Sequence, residues 1–149
     1  MAATNSYGQQ LPSIKLTTIN GEAFNTQQFS DTTGKLVVLS FWATWCIPCI
    51  NELTAINDNL DSWKVNLKFD FFAVSEDDSR TVKRVQPLVN GKNWTFNTLL
   101  DINQELKRHW NIANIPYTII IKKGKIIYRH AGYVAGAEEE LYSIIKQNQ

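Results

Sequence analysis

Cysteine is scarce in this chain: there are two among 149 residues, with two histidines and a single methionine. Two cysteines alone cannot fill a tetrahedral zinc site, and His109 and His130 lie far from Cys46 and Cys49 in the sequence. A framework of several disulfides is excluded for the same reason. The histidines read as surface or edge residues and are given no role. An excess of one charge is also lacking, since the formal net charge is +1, so there is no electrostatic case for nucleic acid or an anionic membrane. No apolar run approaches the roughly 20 residues of a membrane-spanning helix. Met1 to Gln10 is polar and has no apolar h-region, so no signal peptide is present. Residues 1–10 read as a disordered or expression-derived tail on a mature chain whose targeting segment has been removed. Internal repeats, linkers and low-complexity segments are absent. The remaining balance, 44% hydrophobic and 19% charged, is that of an ordinary globular protein, and residues 11–149 suit one domain with a sizeable core.

The two cysteines fall together, in Ser40-Phe41-Trp42-Ala43-Thr44-Trp45-Cys46-Ile47-Pro48-Cys49. Ahead of them, Leu36-Val37-Val38-Leu39 reads as a strand buried on both faces. Behind them, Leu53, Ile56, Leu60 and Trp63 recur at helical spacing. The pair therefore sits where a buried strand turns into an amphipathic helix. The first N–H groups of that helix are unpaired and its dipole is positive there, which favours a nucleophilic thiolate at Cys46. Cys49, one turn further in, is close enough to form a disulfide with it. Pro48 lies between them in the first turn, where its missing N–H costs little. Trp42 and Trp63 read as core, whereas Trp45 beside Cys46 is expected to be exposed and functional. A purely structural disulfide is the plainest alternative. In the chain-entropy model so short a loop contributes only roughly 2 kcal/mol, against about 3 for fifteen residues, so a redox role is the better reading.

Along the rest of the chain, Asn20-Gly21 predicts an N-terminal hairpin closing near Phe24, and Phe29 should pack inward from a short turn or helix. The buried strand is expected at about 36–42, the long helix from Cys49 to about Val65, and an aromatic-rich strand over 67–75. Ser75-Glu76-Asp77-Asp78 offers a turn and an N-cap for a helix over 79–90, with Val82, Val85, Leu88 and Val89 on its apolar face. Pro87 should kink that helix or end it early. A strand over 95–100 follows, and then a helix capped by Asp101 with Ile102, Leu106 and Trp110 facing inward. Tyr117 to Lys122 and Lys125 to His130 form a second hairpin across Lys123-Gly124, and a terminal helix runs from Gly136 to Lys146 with Glu138-Glu139-Glu140 at its dipole-favoured start. Asn93-Trp94-Thr95 matches a glycosylation acceptor, a match taken as chance. The order predicts an α/β protein with a mixed central sheet and helices on both faces.

Phe41-Trp42-Ala43-x-Trp45-Cys46-x-Pro48-Cys49 resembles the active-site signature of the thioredoxin superfamily. Glu52, three residues after Cys49, makes the chain similar to the TlpA/ResA-like thiol–disulfide oxidoreductases. The resemblance covers nearly the whole chain. It implies a thioredoxin-like fold with an N-terminal hairpin and a central αβ insertion, here the helix and strand at about 79–100. It also implies exchange with protein disulfides: Cys46 attacks, Cys49 resolves the mixed disulfide, and Trp45, Ile47, Ile115 and the backbone near Gly132 contact the substrate. Pro116 takes the place of the family's cis-proline, a geometry that frees the preceding backbone to pair with an extended substrate. No metal or organic cofactor is called for, and electrons come from an upstream dithiol donor. A monomer in the bacterial periplasm or cell envelope is expected, with cytochrome c maturation or general disulfide reduction as its setting and a membrane anchor possible outside this stretch.

One position departs from thioredoxins proper, which carry a buried aspartate just before the Phe-Trp pair. Ser40 stands there and is no base at neutral pH, so Glu52 is the candidate for the proton work. Its place on the helix beside Leu53 and Ile56 predicts partial enclosure and a raised pKa. Two other functions stay open at this point. A peroxidase of the peroxiredoxin type shares the fold, although its motif places proline and threonine ahead of a lone cysteine. A binding module with a passive disulfide is the other.

Overall fold

The computed structural model describes residues 11–30 and 33–149; the tail read at 1–10 lies outside the described residues. Strand β3 (Leu36–Trp42) runs through the middle of the molecule and is buried along its whole length. That is why its sequence is almost continuously apolar rather than alternating. Helix α1 (Ile47–Asn66) carries the chain back to β4 (Phe69–Ser75), which pairs parallel to β3 from Leu36↔Phe69 to Trp42↔Ser75. A short helix α2 (Val85–Gly91) then leads to β5 (Asn97–Leu100), parallel to β4. β5 carries the sheet out to an N-terminal hairpin of β1 (Lys15–Thr18) and β2 (Ala23–Asn25), turned at Asn20-Gly21. On the other side of β3 lie β6 (Tyr117–Lys122) and β7 (Lys125–Ala131), both antiparallel to their neighbours. The result is one seven-stranded sheet in the order β2-β1-β5-β4-β3-β6-β7.

The alternation along β3 divides the core in two. Leu36, Val38 and Trp42 pack under α1, α2 and α4 (Ala137–Gln147), together with Leu53, Ile56, Trp63, Leu141 and Ile145. Val37, Leu39 and Phe41 face the opposite layer, built from Phe29, Leu106 and Trp110 around the short helix α3 (Glu105–His109). The expected hairpins, insertion and helices on both faces are all present, and Phe29 is fully buried at the end of a 3-10 turn over Thr26–Phe29.

The helix expected over 79–90 is corrected. The chain makes a 3-10 turn at Val82–Arg84, and α-helix begins only at Val85. Pro87 explains the delay. Its ring would clash with the carbonyl four residues back if the helix had already started, whereas in the first turn its missing N–H is harmless. Pro87 therefore does not end the helix early, since α2 runs on to Gly91; it fixes where the helix starts. The third helix is also shorter than its pattern. Asp101 caps it from a distance, accepting from Leu106 N at 3.2 Å and Lys107 N at 3.1 Å, while Ile102 is only half-buried.

Candidate active site

At the C-terminal end of β3 the chain crosses Ala43-Thr44-Trp45 and enters α1 with Cys46 as the N-cap. Cys46 and Cys49 are joined in a disulfide with their Cα atoms 5.3 Å apart. Cys49 is fully buried and Cys46 is 7% exposed. Cys46 Sγ accepts from Cys49 N at 3.3 Å, the place a serine or aspartate oxygen takes in an ordinary helix cap. In the reduced protein the same N–H and the helix dipole favour a thiolate on Cys46. The two sulfurs therefore differ in position: one is held at the helix mouth, the other inside the core. Trp45 and Ile47 flank this mouth and are 57% and 65% exposed, conspicuous for apolar side chains of their size.

The loop ahead of Cys46 is anchored by Asp77, whose place in the sequence suggests only a turn and helix cap. Its carboxylate is fully buried and accepts from Thr44 N at 3.0 Å and Thr44 Oγ1 at 2.6 Å. Ser75 Oγ and Thr81 Oγ1 also donate to it, each at 2.7 Å. These contacts span 33 residues of sequence for Thr44, so no local pattern announces them; the only sign is an acidic run directly after a buried strand.

Glu52 sits on α1 against the sheet and is 6% exposed. Burial among apolar neighbours pushes its pKa up to about 7; a long hydrogen bond from Ser40 Oγ at 3.4 Å partly offsets this, and the charge of Glu138 adds to it. The expected enclosure and upward shift are both present. Ser40, which lacks the acid of thioredoxins proper, thus touches the carboxyl that could replace it. Glu138, in the first turn of α4, accepts from Tyr133 Oη at 2.7 Å and Gly136 N at 3.0 Å. The Tyr133 hydrogen bond holds its carboxyl below the usual range.

The Ile115–Pro116 peptide bond is cis. Pro116 is buried, and its carbonyl accepts from Gly132 N at 2.8 Å, which ties the loop before β6 to the end of β7. Gly132 has φ +90° with open space around its α-carbon, so the backbone conformation and not crowding calls for glycine. Ile115 is half-buried and packs against the core cluster that contains both cysteines. Among the described residues, no group of three or more His, Cys, Asp or Glu side chains is placed to hold a metal ion.

A second acid is buried near the end of β4. Glu76 is 1% exposed, its N–H donates to Trp42 O at 2.7 Å, and neither side-chain oxygen receives a protein hydrogen bond. Burial first and the neighbouring Asp101 carboxylate second drive its pKa far above the carboxyl range, with Lys107 opposing. The folded chain therefore keeps a proton that the unfolded chain releases, and stability falls as pH rises through neutrality by about 1.4 kcal/mol per pH unit for that proton. Glu76→Gln should flatten this slope and raise the urea midpoint at pH 8 more than at pH 5. Equal shifts at the two pH values would show that Glu76 is ionised in the fold.

With this geometry in hand, the likeness to known proteins is specific. The profile of the AhpC/TSA family matches residues 7–130. The chain belongs to that family. The thioredoxin-like protein YneN of Bacillus subtilis is 33% identical over 141 residues, covering 89% of this chain and 76% of YneN. The thiol–disulfide oxidoreductase ResA of Oceanobacillus iheyensis is 35% identical over 116 residues, 77% of this chain and 59% of ResA. The solution structure of a thioredoxin-like protein from Porphyromonas gingivalis superposes with a TM-score of 0.79 at 37% identity, covering 96% of this chain and 93% of that one. The fold is thioredoxin-like.

Proposed function

We propose that this chain is a thiol–disulfide oxidoreductase that reduces protein disulfides through Cys46 and Cys49. The observation that carries the reading is the N-capping Cys46 bonded to a buried Cys49; the names of its ResA and YneN relatives support it. The Cys46 thiolate attacks one sulfur of a target disulfide and expels the other as a thiolate. Cys49 then attacks the Cys46 sulfur, forming the intramolecular disulfide and releasing the second target thiolate. Two electrons pass to the target, and the enzyme's two thiol protons end on the products or in solvent. Glu52 accepts the Cys49 proton during the second step. Trp45 and Ile47 give apolar contact to the target, and Ile115, Pro116 and Gly132 present backbone to it. An upstream dithiol restores the reduced enzyme.

The same resemblance supports a monomer working in the periplasm or cell envelope, with a c-type cytochrome precursor or other oxidised protein as target. The test is catalysis of insulin disulfide reduction by dithiothreitol, run beside a peroxide-consumption assay with the same reductant. Accelerated insulin reduction without peroxide turnover is expected. Peroxide turnover alone would support the peroxidase reading, and neither activity would support a passive disulfide.

A further inference from the structure

We propose that His130 is the group through which Glu52 exchanges its proton with solvent. The inference rests on the reading of Glu52 as the proton acceptor for Cys49. The register of three strands lays Ser40 beside Thr118 and Thr118 beside His130. Cross-strand partners share a face of the sheet, here the face under α1 and α4. Elsewhere that face is filled by Val38, Trp42 and Ile120, so a polar row interrupts an apolar layer at the level of Glu52. Its inner end is Ser40, in contact with the Glu52 carboxyl, and its outer end is the exposed His130. A cavity of about 20 Å³ lies along the row, walled by Glu52, Thr118, Tyr128, His130, Gly132 and Glu140, among others. That is room for one water, which needs roughly 10–15 Å³, and the walls supply polar partners for it. Tyr128 lies beside His130 on the same strand, with ring centroids 6.3 Å apart and planes 16° from parallel.

The other groups facing Glu52 are poorly suited to this exchange. The Glu138 carboxyl is held below its usual range by Tyr133, and the Tyr133 phenol is pushed up to about 12, first by its own burial. Neither changes protonation near neutrality. Glu140, on the first turn of α4, shares the cavity and is the one acidic rival. Imidazole both takes and gives protons in the neutral range. The step moves a proton and no electrons. Glu52 passes its proton to the water, the water passes one to a ring nitrogen of His130, and His130 releases it to solvent, leaving Glu52 ionised for Cys49.

The dependence should show below neutrality, where Glu52 begins protonated and must discharge before Cys49 can resolve. The experiment mixes reduced enzyme with the aromatic disulfide 5,5′-dithiobis(2-nitrobenzoate) and follows release of the second thiolate, at pH 6 and 8.5 in dilute buffer. His130→Gln should slow that phase at pH 6 by about an order of magnitude, less than the 10²–10⁴ expected for loss of a direct general base. It should match the parent at pH 8.5 and recover at pH 6 with added imidazole, and Glu140→Gln should have no effect. In a Glu52→Gln background, His130→Gln should add nothing. An unchanged rate in His130→Gln beside a slow Glu52→Gln overturns the route alone, as does slowing by Glu140→Gln alone. Loss without imidazole rescue that persists in the Glu52→Gln background makes His130 merely structural and overturns the route too. A parent-like Glu52→Gln overturns the underlying reading of Glu52, and the route with it.

Discussion

Replacing Cys46 with alanine should abolish disulfide exchange, while Cys49→Ser should leave a protein that reacts once and stops. The contrast follows from placement. Cys46 is the sulfur at the helix mouth, where the Cys49 N–H donates to it and the dipole supports a thiolate. Cys49 is fully enclosed and can reach only the Cys46 sulfur beside it. Cys46→Ala removes the nucleophile, and the buried thiol cannot stand in for it, so turnover should fall by at least the 10⁶ or so that loss of a covalent nucleophile costs elsewhere. Cys49→Ser keeps the first step and loses the second, so mixed disulfides with target proteins accumulate. Non-reducing gels of the two variants incubated with an oxidised protein target provide the measurement. Adducts are expected with Cys49→Ser and none with Cys46→Ala; the reverse pattern would exchange the roles of the two cysteines.

The second large effect belongs to Glu52→Gln, which keeps the shape and removes the titration. Resolution by Cys49 should slow by about 10², the lower end for a positioned general base. Its rise with pH through about 7 should disappear, because that rise follows ionisation of the Glu52 carboxyl. Stability should move the other way. The folded pKa lies above the unfolded value of 4.5, so the folded chain binds the extra proton between them. Through this carboxyl alone, the parent is favoured most at low pH and loses about 3 kcal/mol as pH rises from 4.5 to 7. Glutamine removes that decline, so the variant should be the more stable protein at pH 8 and the poorer enzyme. Such a trade is expected where a site holds a group in an environment that disfavours its charged form. Stopped-flow thiol release and urea titration across pH 5–8 read the two halves separately. Unchanged resolution in the variant would remove Glu52 from the mechanism.

What the chain discloses on reading depends on whether the cause is local. Leu36 to Trp42 reads as a doubly buried strand because the signal is carried by the strand itself, and its observed ends match the expectation. Asn20-Gly21 turns the first hairpin for an equally local reason. The enclosure of Glu52 was legible from its neighbours on α1, one turn of helix away. Asp77 was not, because its partner Thr44 is 33 residues distant and an acidic run after a strand most simply reads as a turn. His130 reads in the sequence as an edge residue. Its nearness to Glu52 depends on the register of β3, β6 and β7 taken together, which no single stretch encodes. The late start of α2 lay between these cases. Pro87 is visible in the sequence, but whether it breaks a helix or begins one depends on where the preceding turn is held, and Asp77 and Asp78 hold it, bonding Thr81 Oγ1 and Arg80 N.

The central claim is the division of labour between an attacking sulfur at the helix mouth and a fully enclosed resolving one. Its most direct test is alkylation of the fully reduced protein with one equivalent of iodoacetamide at neutral pH, followed by peptide mapping. The account predicts label on Cys46, with Cys49 reacting only after unfolding. Label first on Cys49, or equally on both in the folded protein, would contradict it.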